Sequence, residues 1–285
     1  MAPRIRQLRP RQWLKNVLLA AAPFAAGVTA IDDVVLIGIG FTAFSLVASA
    51  LYIMNDLFDI DADRAHPEKR HRPLASGSQS SAGAVMTLVG LAAIGFGISL
   101  ALPIEFTLVL VGYSGNTIVY TLRGKHVPIL DMLQVAGGFM ARLIAGAVIV
   151  DVDISPWFLT VSLFGSLLMI SGKRVAEKRR PVEHAATRPS IARLSEHFLD
   201  QVVMIATSGL IFSYALWALD AVEETQAVTE AWSIASLAPF LFCVLRYLLL
   251  IDQGKSEKPE DAVLDVPLLL GATAWIISIS AGVYG

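Results

Sequence analysis

Nine runs of mainly apolar residues, each about as long as the hydrocarbon core of a bilayer asks of a helix, divide the chain and leave it little choice of fold. They cover residues 13–30, 34–57, 82–101, 104–122, 129–150, 155–172, 199–219, 232–250 and 265–284. A single soluble core cannot hide that much apolar surface. With 55% hydrophobic residues, only 16% charged residues and a mean hydropathy of +0.64, the chain lies outside the soluble range. The expected class is all-α, a polytopic membrane bundle of nine transmembrane helices.

The charges sort the gaps between these runs. Basic residues fill alternate gaps: the start of the chain (Arg4, Arg6, Arg9, Arg11, Lys15), residues 58–81 (Arg64, Lys69, Arg70, Arg72), residues 123–128 (Arg123, Lys125), residues 173–198 (Lys173, Arg174, Lys178, Arg179, Arg180, Arg188, Arg193) and residues 251–264 (Lys255, Lys258). Together, counting Lys15 at the leading edge of the first run, they hold all but two of the 22 Lys and Arg residues, the exceptions being Arg142 and Arg246 deep within runs. The other gaps and their borders hold acids such as Asp32, Asp33, Glu105, Asp151 and Asp153. The positive-inside rule makes the basic side cytoplasmic, and nine spans then put the N-terminus inside and the C-terminus outside. All five histidines (His66, His71, His126, His184, His197) fall on that inner side, so polar chemistry is expected there. A cleavable leader ending at Val28-Thr29-Ala30 also fits the first run, but eight more hydrophobic runs make a first span the better reading. The single cysteine, Cys243, excludes an intramolecular disulfide. No linker or low-complexity tract interrupts the chain, so residues 1–285 read as one domain.

The second run ends in Tyr52-Ile-Met-Asn-Asp-Leu-Phe-Asp-Ile-Asp-Ala-Asp-Arg64. At about 100° per residue, Asn55, Asp59 and Asp63 share one helical face, with Asp56 beside them and Asp61 pointing elsewhere. Carboxylates stacked at a membrane edge repel one another unless a cation neutralises them. Magnesium, which takes a few carboxylates and completes its shell with water and phosphate oxygens, suits such a row. A helix end that merely reaches water also gathers acids. Four acids with an asparagine in this register favour the metal.

Basic residues face that row from several gaps. Lys69-Arg70-His71-Arg72 follows it directly, closed by turn residues through Gly77. Arginine there suits phosphate oxygens through paired hydrogen bonds, although cations at this edge also meet lipid headgroups. Tyr113, Asn116 and Tyr120 form a polar stripe leading to Arg123 and Lys125. Asp131 and Arg142 lie eleven residues apart and fall on one face of the fifth run. An arginine that deep should face the interior and meet an anion. Arg246 lies near a helix end and can snorkel. Ile191, Leu194 and Phe198, behind a cap at Ser190, predict a short interfacial helix ahead of the seventh run.

Asn55-Asp56-x-x-Asp59-x-x-x-Asp63 followed by Arg72-Pro-Leu-Ala-Ser-Gly77 resembles the signature of the UbiA superfamily of intramembrane prenyltransferases. The resemblance implies nine helices around a central cavity open to the cytoplasm, with Mg2+ held between acidic motifs and a substrate diphosphate. Members with aromatic acceptors carry a second acidic motif near the end of the sixth run, where this chain has Gly172-Lys-Arg-Val-Ala-Glu-Lys178. That departure, with Gln12-Trp-Leu-Lys-Asn16, Tyr120-Thr-Leu-Arg-Gly-Lys125, Asp131 and Gly138-Phe-Met-Ala-Arg142, is similar to the branch that transfers a phosphosugar to a lipid phosphate.

The resemblance implies transfer of 5-phosphoribose from phosphoribosyl diphosphate to decaprenyl or another polyprenyl phosphate, for cell-wall arabinan (arabinogalactan) precursors at the bacterial plasma membrane. Asn55, Asp56, Asp59 and Asp63 are then the metal site, and Lys15, Arg72, Lys173 and Arg174 neutralise phosphate charge. Arg123, Lys125 and Arg142 position the donor or the lipid phosphate, and Tyr113, Asn116, Tyr120 and Asp131 complete the substrate-binding set. No nucleic-acid partner is expected, and association with further copies stays open. Two other functions compete: prenylation of an aromatic quinone precursor from a polyprenyl diphosphate, and membrane transport. Transport is disfavoured because polar residues cluster at one face and no repeat surrounds a midplane site.

Overall fold

A computed structural model of the chain describes residues 7–67, 69–179, 189–220, 227–256 and 265–284, with the side chains of 189, 220 and 227–230 left aside. Arg4, Arg6, Arg180, His184, Arg188 and Lys258 lie outside the described residues. All described elements are helical. A 3-10 helix (Pro10–Ala20) leads into α1 (Ala21–Ala25), followed by α2 (Ile31–Phe58), α3 (Ile60–Ala65), α4 (Ser81–Ser99), α5 (Ile104–Leu122), α6 (Leu130–Ile149), α7 (Pro156–Lys178), α8 (Pro189–Ala192), α9 (Glu196–Asp220), α10 (Ala227–Ala235), α11 (Leu237–Asp252) and α12 (Val266–Tyr284).

Seven helical stretches among the described residues are long and apolar enough to cross a membrane, against the nine expected. Two expected spans fall short for visible reasons. In α5 the stripe Tyr113, Ser114, Asn116, Thr117 and Tyr120 dilutes the apolar content. The first expected span is split into a 3-10 helix and a five-residue α-helix, because Pro23 has no N–H for the carbonyl of Leu19. The eighth counts as one span, Ala231–Asp252, but its helices part at Ser236, three residues before Pro239, whose missing N–H leaves the carbonyl of Ala235 without a helical partner. The interfacial helix expected behind Ser190 is only Pro189–Ala192 and contains that serine, while Phe198 belongs to α9.

The chain forms two compact units, residues 1–125 with 137–153 and residues 126–136 with 154–285, so α6 contributes its first turns to one and the rest to the other. The first unit is built on α2, whose Ala43, Phe44, Val47, Ala48 and Leu51 pack with Phe106, Leu110 and Tyr113 of α5 and Ala145 and Ile149 of α6. Gly146 lets the 3-10 helix approach α6 at backbone distance: a Cβ there would collide with the carbonyl of Leu19. Beneath this core, Leu74 and Ala84 pack on Ile53 and so pin the 72–77 loop. In the second unit, α7, α9 and α11 bury Leu168, Val175, Leu199, Ala206, Phe240, Val244 and Leu250. Tyr214 lies at its centre, stacked on Phe240 at 3.7 Å and hydrogen-bonded to Ser236 Oγ and Trp275 Nε1, both at 2.7 Å. Outside these cores Met86, Phe212, Leu100 and Ile31 stand largely exposed, as side chains bathed in lipid do.

Candidate active site

The acidic run leaves α2 and continues in α3 across a break at Asp59 (φ −103, ψ 10). The four-residue spacing survives the break, because Asp59 N donates to Asn55 O at 3.0 Å and Asp63 N to Asp59 O at 2.7 Å. The side chains divide into two pairs, as that spacing sets them, since seven residues bring two side chains to within about 20° and four to within about 40° around a helix. Asp56 and Asp63, both buried, meet on one nitrogen: Arg72 Nη1 lies 3.0 Å from Asp56 Oδ1 and 2.7 Å from Asp63 Oδ2. Asp59 accepts from Asn55 Nδ2 at 3.1 Å and is paired with Lys125. Asn55 Oδ1 in turn accepts from Thr121 Oγ1 at 3.3 Å. Asp61 stands apart, 97% exposed beside Arg64, as the helical register requires.

Each cation is placed by its own element. Arg72 begins a turn whose Pro73 carbonyl accepts from Ser76 Oγ, Ser78 Oγ and Gln79 N, and whose Gly77 takes φ +76. Buried Leu74 anchors that turn, and Arg64 Nε reaches Ala75 O at 3.3 Å. Lys125 follows the end of α5 in a short 3-10 turn. A third cation, Arg9, was visible in the sequence only as one of five N-terminal basic residues. Its Nη2 lies 2.5 Å from Asp56 Oδ1, and its guanidinium sits 5.1 Å over the Tyr52 ring. Its one sequence cue is the following Pro10, which marks a helix start. Thr121 offered no cue at all.

Deeper in the same unit, Arg142 is buried. Its Nε donates to Asn16 Oδ1 at 2.7 Å, Nη1 to Gly138 O at 2.5 Å and Nη2 to Tyr113 OH at 3.1 Å, and its guanidinium lies 5.0 Å and 4.8 Å from the Phe44 and Tyr113 ring centres. Among the described residues no carboxylate lies within ion-pair distance of it, so the anion expected for this arginine is not a side chain of that set. Its partners are neutral acceptors and aromatic rings. Asn116, Tyr120 and Lys15 are half-buried and Arg123 is exposed.

In the second unit Arg174 is closed off. Its side chain is 1% exposed, with Nε 2.8 Å from Asp131 Oδ2, Nη2 3.1 Å from Asp131 Oδ1 and Nη1 2.6 Å from Glu177 Oε2. Asp131 and Arg142, placed on one helical face by the sequence, thus serve different networks. Lys173 stands half-buried one residue before Arg174.

Among the described residues no three His, Cys, Asp or Glu side chains gather closely enough to hold a metal by themselves. Two buried carboxylates converging on one cationic nitrogen are still the donor set that magnesium uses, since it binds through one or two carboxylates and leaves the rest of its shell to water and phosphate. The chemistry of the set therefore fits a hard divalent cation with a phosphate ligand.

Known proteins resemble this chain over nearly its whole length. The chain is 38% identical to a decaprenyl-phosphate phosphoribosyltransferase of Corynebacterium glutamicum, over 98% of this chain and 86% of that one. It is 36% identical to a protein of the same name from Mycobacterium tuberculosis, over 98% and 93%. Its fold matches the structure of a UbiA homolog from Archaeoglobus fulgidus bound to GPP and Mg2+, with a TM-score of 0.73 and 19% identity over 99% of this chain and 98% of that one. The sequence profile of the UbiA prenyltransferase family matches residues 16–271. The chain belongs to the UbiA prenyltransferase family.

Proposed function

We propose that this membrane-embedded transferase moves 5-phosphoribose from phosphoribosyl diphosphate to decaprenyl phosphate or a similar polyprenyl phosphate, releasing diphosphate. One observation carries the reading: likeness to relatives named for phosphoribosyl transfer to decaprenyl phosphate extends over 98% of the chain. The site chemistry supports it. Arg72 and Lys125 set positive charge beside the acidic run, where a leaving diphosphate needs it. The sixth expected span ends in Gly172-Lys173-Arg174 rather than a second acidic pair, which disfavours a second metal.

In the reaction an oxygen of the lipid phosphate forms a bond to the anomeric carbon while the carbon–oxygen bond to diphosphate breaks, and the electron pair leaves with the diphosphate. A phosphate monoester, with a second pKa of about 6, is already ionised near neutral pH, so no general base is needed. Magnesium, held by Asp56 and Asp63 with Asn55 and Asp59 beside them, would supply charge neutralisation to the leaving group. Arg72 and Lys125 orient the diphosphate oxygens, and Lys15 and Arg123 add positive charge nearby. Tyr113 and Asn16 fix the guanidinium of Arg142 in the interior. Arg174 and Asp131 hold the end of α7 in place. The acidic run faces the cytoplasm by the positive-inside rule, in a plasma membrane, and the product feeds arabinan precursors of the cell wall.

The test gives purified protein labelled phosphoribosyl diphosphate, a polyprenyl phosphate and Mg2+, and counts label in the organic phase. Label should transfer only when all three are present. Absence of transfer, with prenylation of an aromatic acceptor from a polyprenyl diphosphate instead, refutes the reading.

A further inference from the structure

Arg9 is held more tightly than a cation at a membrane edge needs to be. Its backbone lies at φ 50, ψ 56, a left-handed conformation that a non-glycine residue keeps only under constraint, and it precedes Pro10, where sterics favour extended backbone. The constraint is visible. Ser49 Oγ donates to Leu8 O at 2.9 Å, Trp13 Nε1 donates to Ser49 Oγ at 3.0 Å, and Gln12 N donates to Arg9 O at 2.8 Å. These bonds aim the guanidinium across Tyr52 at Asp56 Oδ1.

That oxygen already accepts from Arg72 Nη1, which also bridges to Asp63. Two guanidinium donors on one carboxylate oxygen use both of its lone pairs. Arg72 alone joins the two carboxylates, so Arg9 is the cation that can leave Asp56 without parting them. With its side chain 23% exposed it has room to swing, which Arg174 at 1% does not.

We infer that Arg9 is an exchangeable counter-ion of Asp56: a divalent cation that takes Asp56 displaces it, and it then binds the diphosphate that accompanies the cation. A guanidinium and a divalent cation on one carboxylate repel each other. A diphosphate beside them gives the guanidinium a better-matched pair of oxygens. The inference rests on the metal–diphosphate chemistry proposed above and does not depend on which group is transferred.

The test uses calorimetric titration of the full chain in detergent with MgCl2 alone, then with inorganic diphosphate at saturating Mg2+. Wild type, Arg9→Ala, Arg9→Gly and Arg9→Lys are compared. The Ala and Gly variants should bind Mg2+ alone about three- to tenfold more tightly and diphosphate about tenfold more weakly, with Lys close to wild type. Glycine relieves the left-handed strain and alanine does not, so agreement between them separates charge from backbone. Unchanged or weaker Mg2+ binding in Ala and Gly, or diphosphate binding equal to wild type, overturns the inference. Neither titration contains ribose or lipid, so a failure of phosphoribosyl transfer refutes the proposed function and leaves the Arg9 inference intact.

Discussion

Replacing Arg174 by alanine removes three charged contacts of 2.8, 3.1 and 2.6 Å in the second unit and takes a guanidinium from Asp131, which is 3% exposed. Glu177, at 20% exposure, can turn to water, so the cost falls mainly on Asp131. Breaking a buried ion pair from one side costs about 3–5 kcal/mol, a drop on the order of 10 °C in Tm for a unit of this size. The assay is thermal unfolding in detergent followed by tryptophan fluorescence. It needs two companions. Arg174→Met keeps the packing of the stem and should be nearly as unstable as alanine. Arg174→Met with Asp131→Asn removes the stranded charge and should recover most of the loss, because neutral replacement of both partners is often close to neutral in stability. If Arg174→Ala melts within about 2 °C of wild type while turnover collapses, Arg174 is a substrate contact and the buried-network reasoning is wrong.

Three further outcomes follow from the geometry. Asp59→Asn removes the charge that Lys125 and Asn55 hold in place and should lower turnover by at least about a hundredfold with an unchanged melting curve; wild-type activity removes the acidic run from the mechanism. Gly146→Ala drives a methyl group into the carbonyl of Leu19, and overpacking of this kind costs about 1–3 kcal/mol, read as a lower Tm and earlier amide exchange along the 3-10 helix. At the start of α12 the hydrogen bond from Arg246 pulls the Asp265 carboxyl from its ordinary 3.8 down to about 2. A lowered folded-state pKa contributes stability that is complete above the ordinary value and is lost as pH falls toward about 2. Asp265→Asn should therefore melt below wild type near neutral pH, and the gap should close between pH 3.8 and about 2; a gap that persists at pH 2 refutes the assignment.

What the sequence disclosed was whatever repeats along one helix. Run length and charge alternation located the long helices to within a few residues, and the 100° step set Asp61 apart from its neighbours. Partners distant in the chain were not legible. Arg174 meets Asp131 across 43 residues and Arg142 meets Asn16 across 126, and no periodicity encodes such meetings. The same step brings Asp56 within about 20° of Asp63, and the two do meet on Arg72, but the arginine that joins them could not be read from it. Arg9 escaped notice because a cation that obeys the inside rule looks the same whether it faces water or a carboxylate. The divisions of the helices near Pro23 and Pro239 were foreseeable from the missing N–H, yet apolar content alone ran straight through both.

Three carboxylates, Asp56, Asp59 and Asp63, stand against three cations, Arg9, Arg72 and Lys125. Such a cluster is electrically balanced. A lone metal ion leaves it with excess positive charge and a lone diphosphate with excess negative charge, whereas the two arriving together nearly cancel. The fixed charges thus make each ligand raise the affinity for the other, by the same factor in both directions. On the metal–diphosphate chemistry proposed above, free metal and free diphosphate would both be poor occupants, and the site would select for their complex.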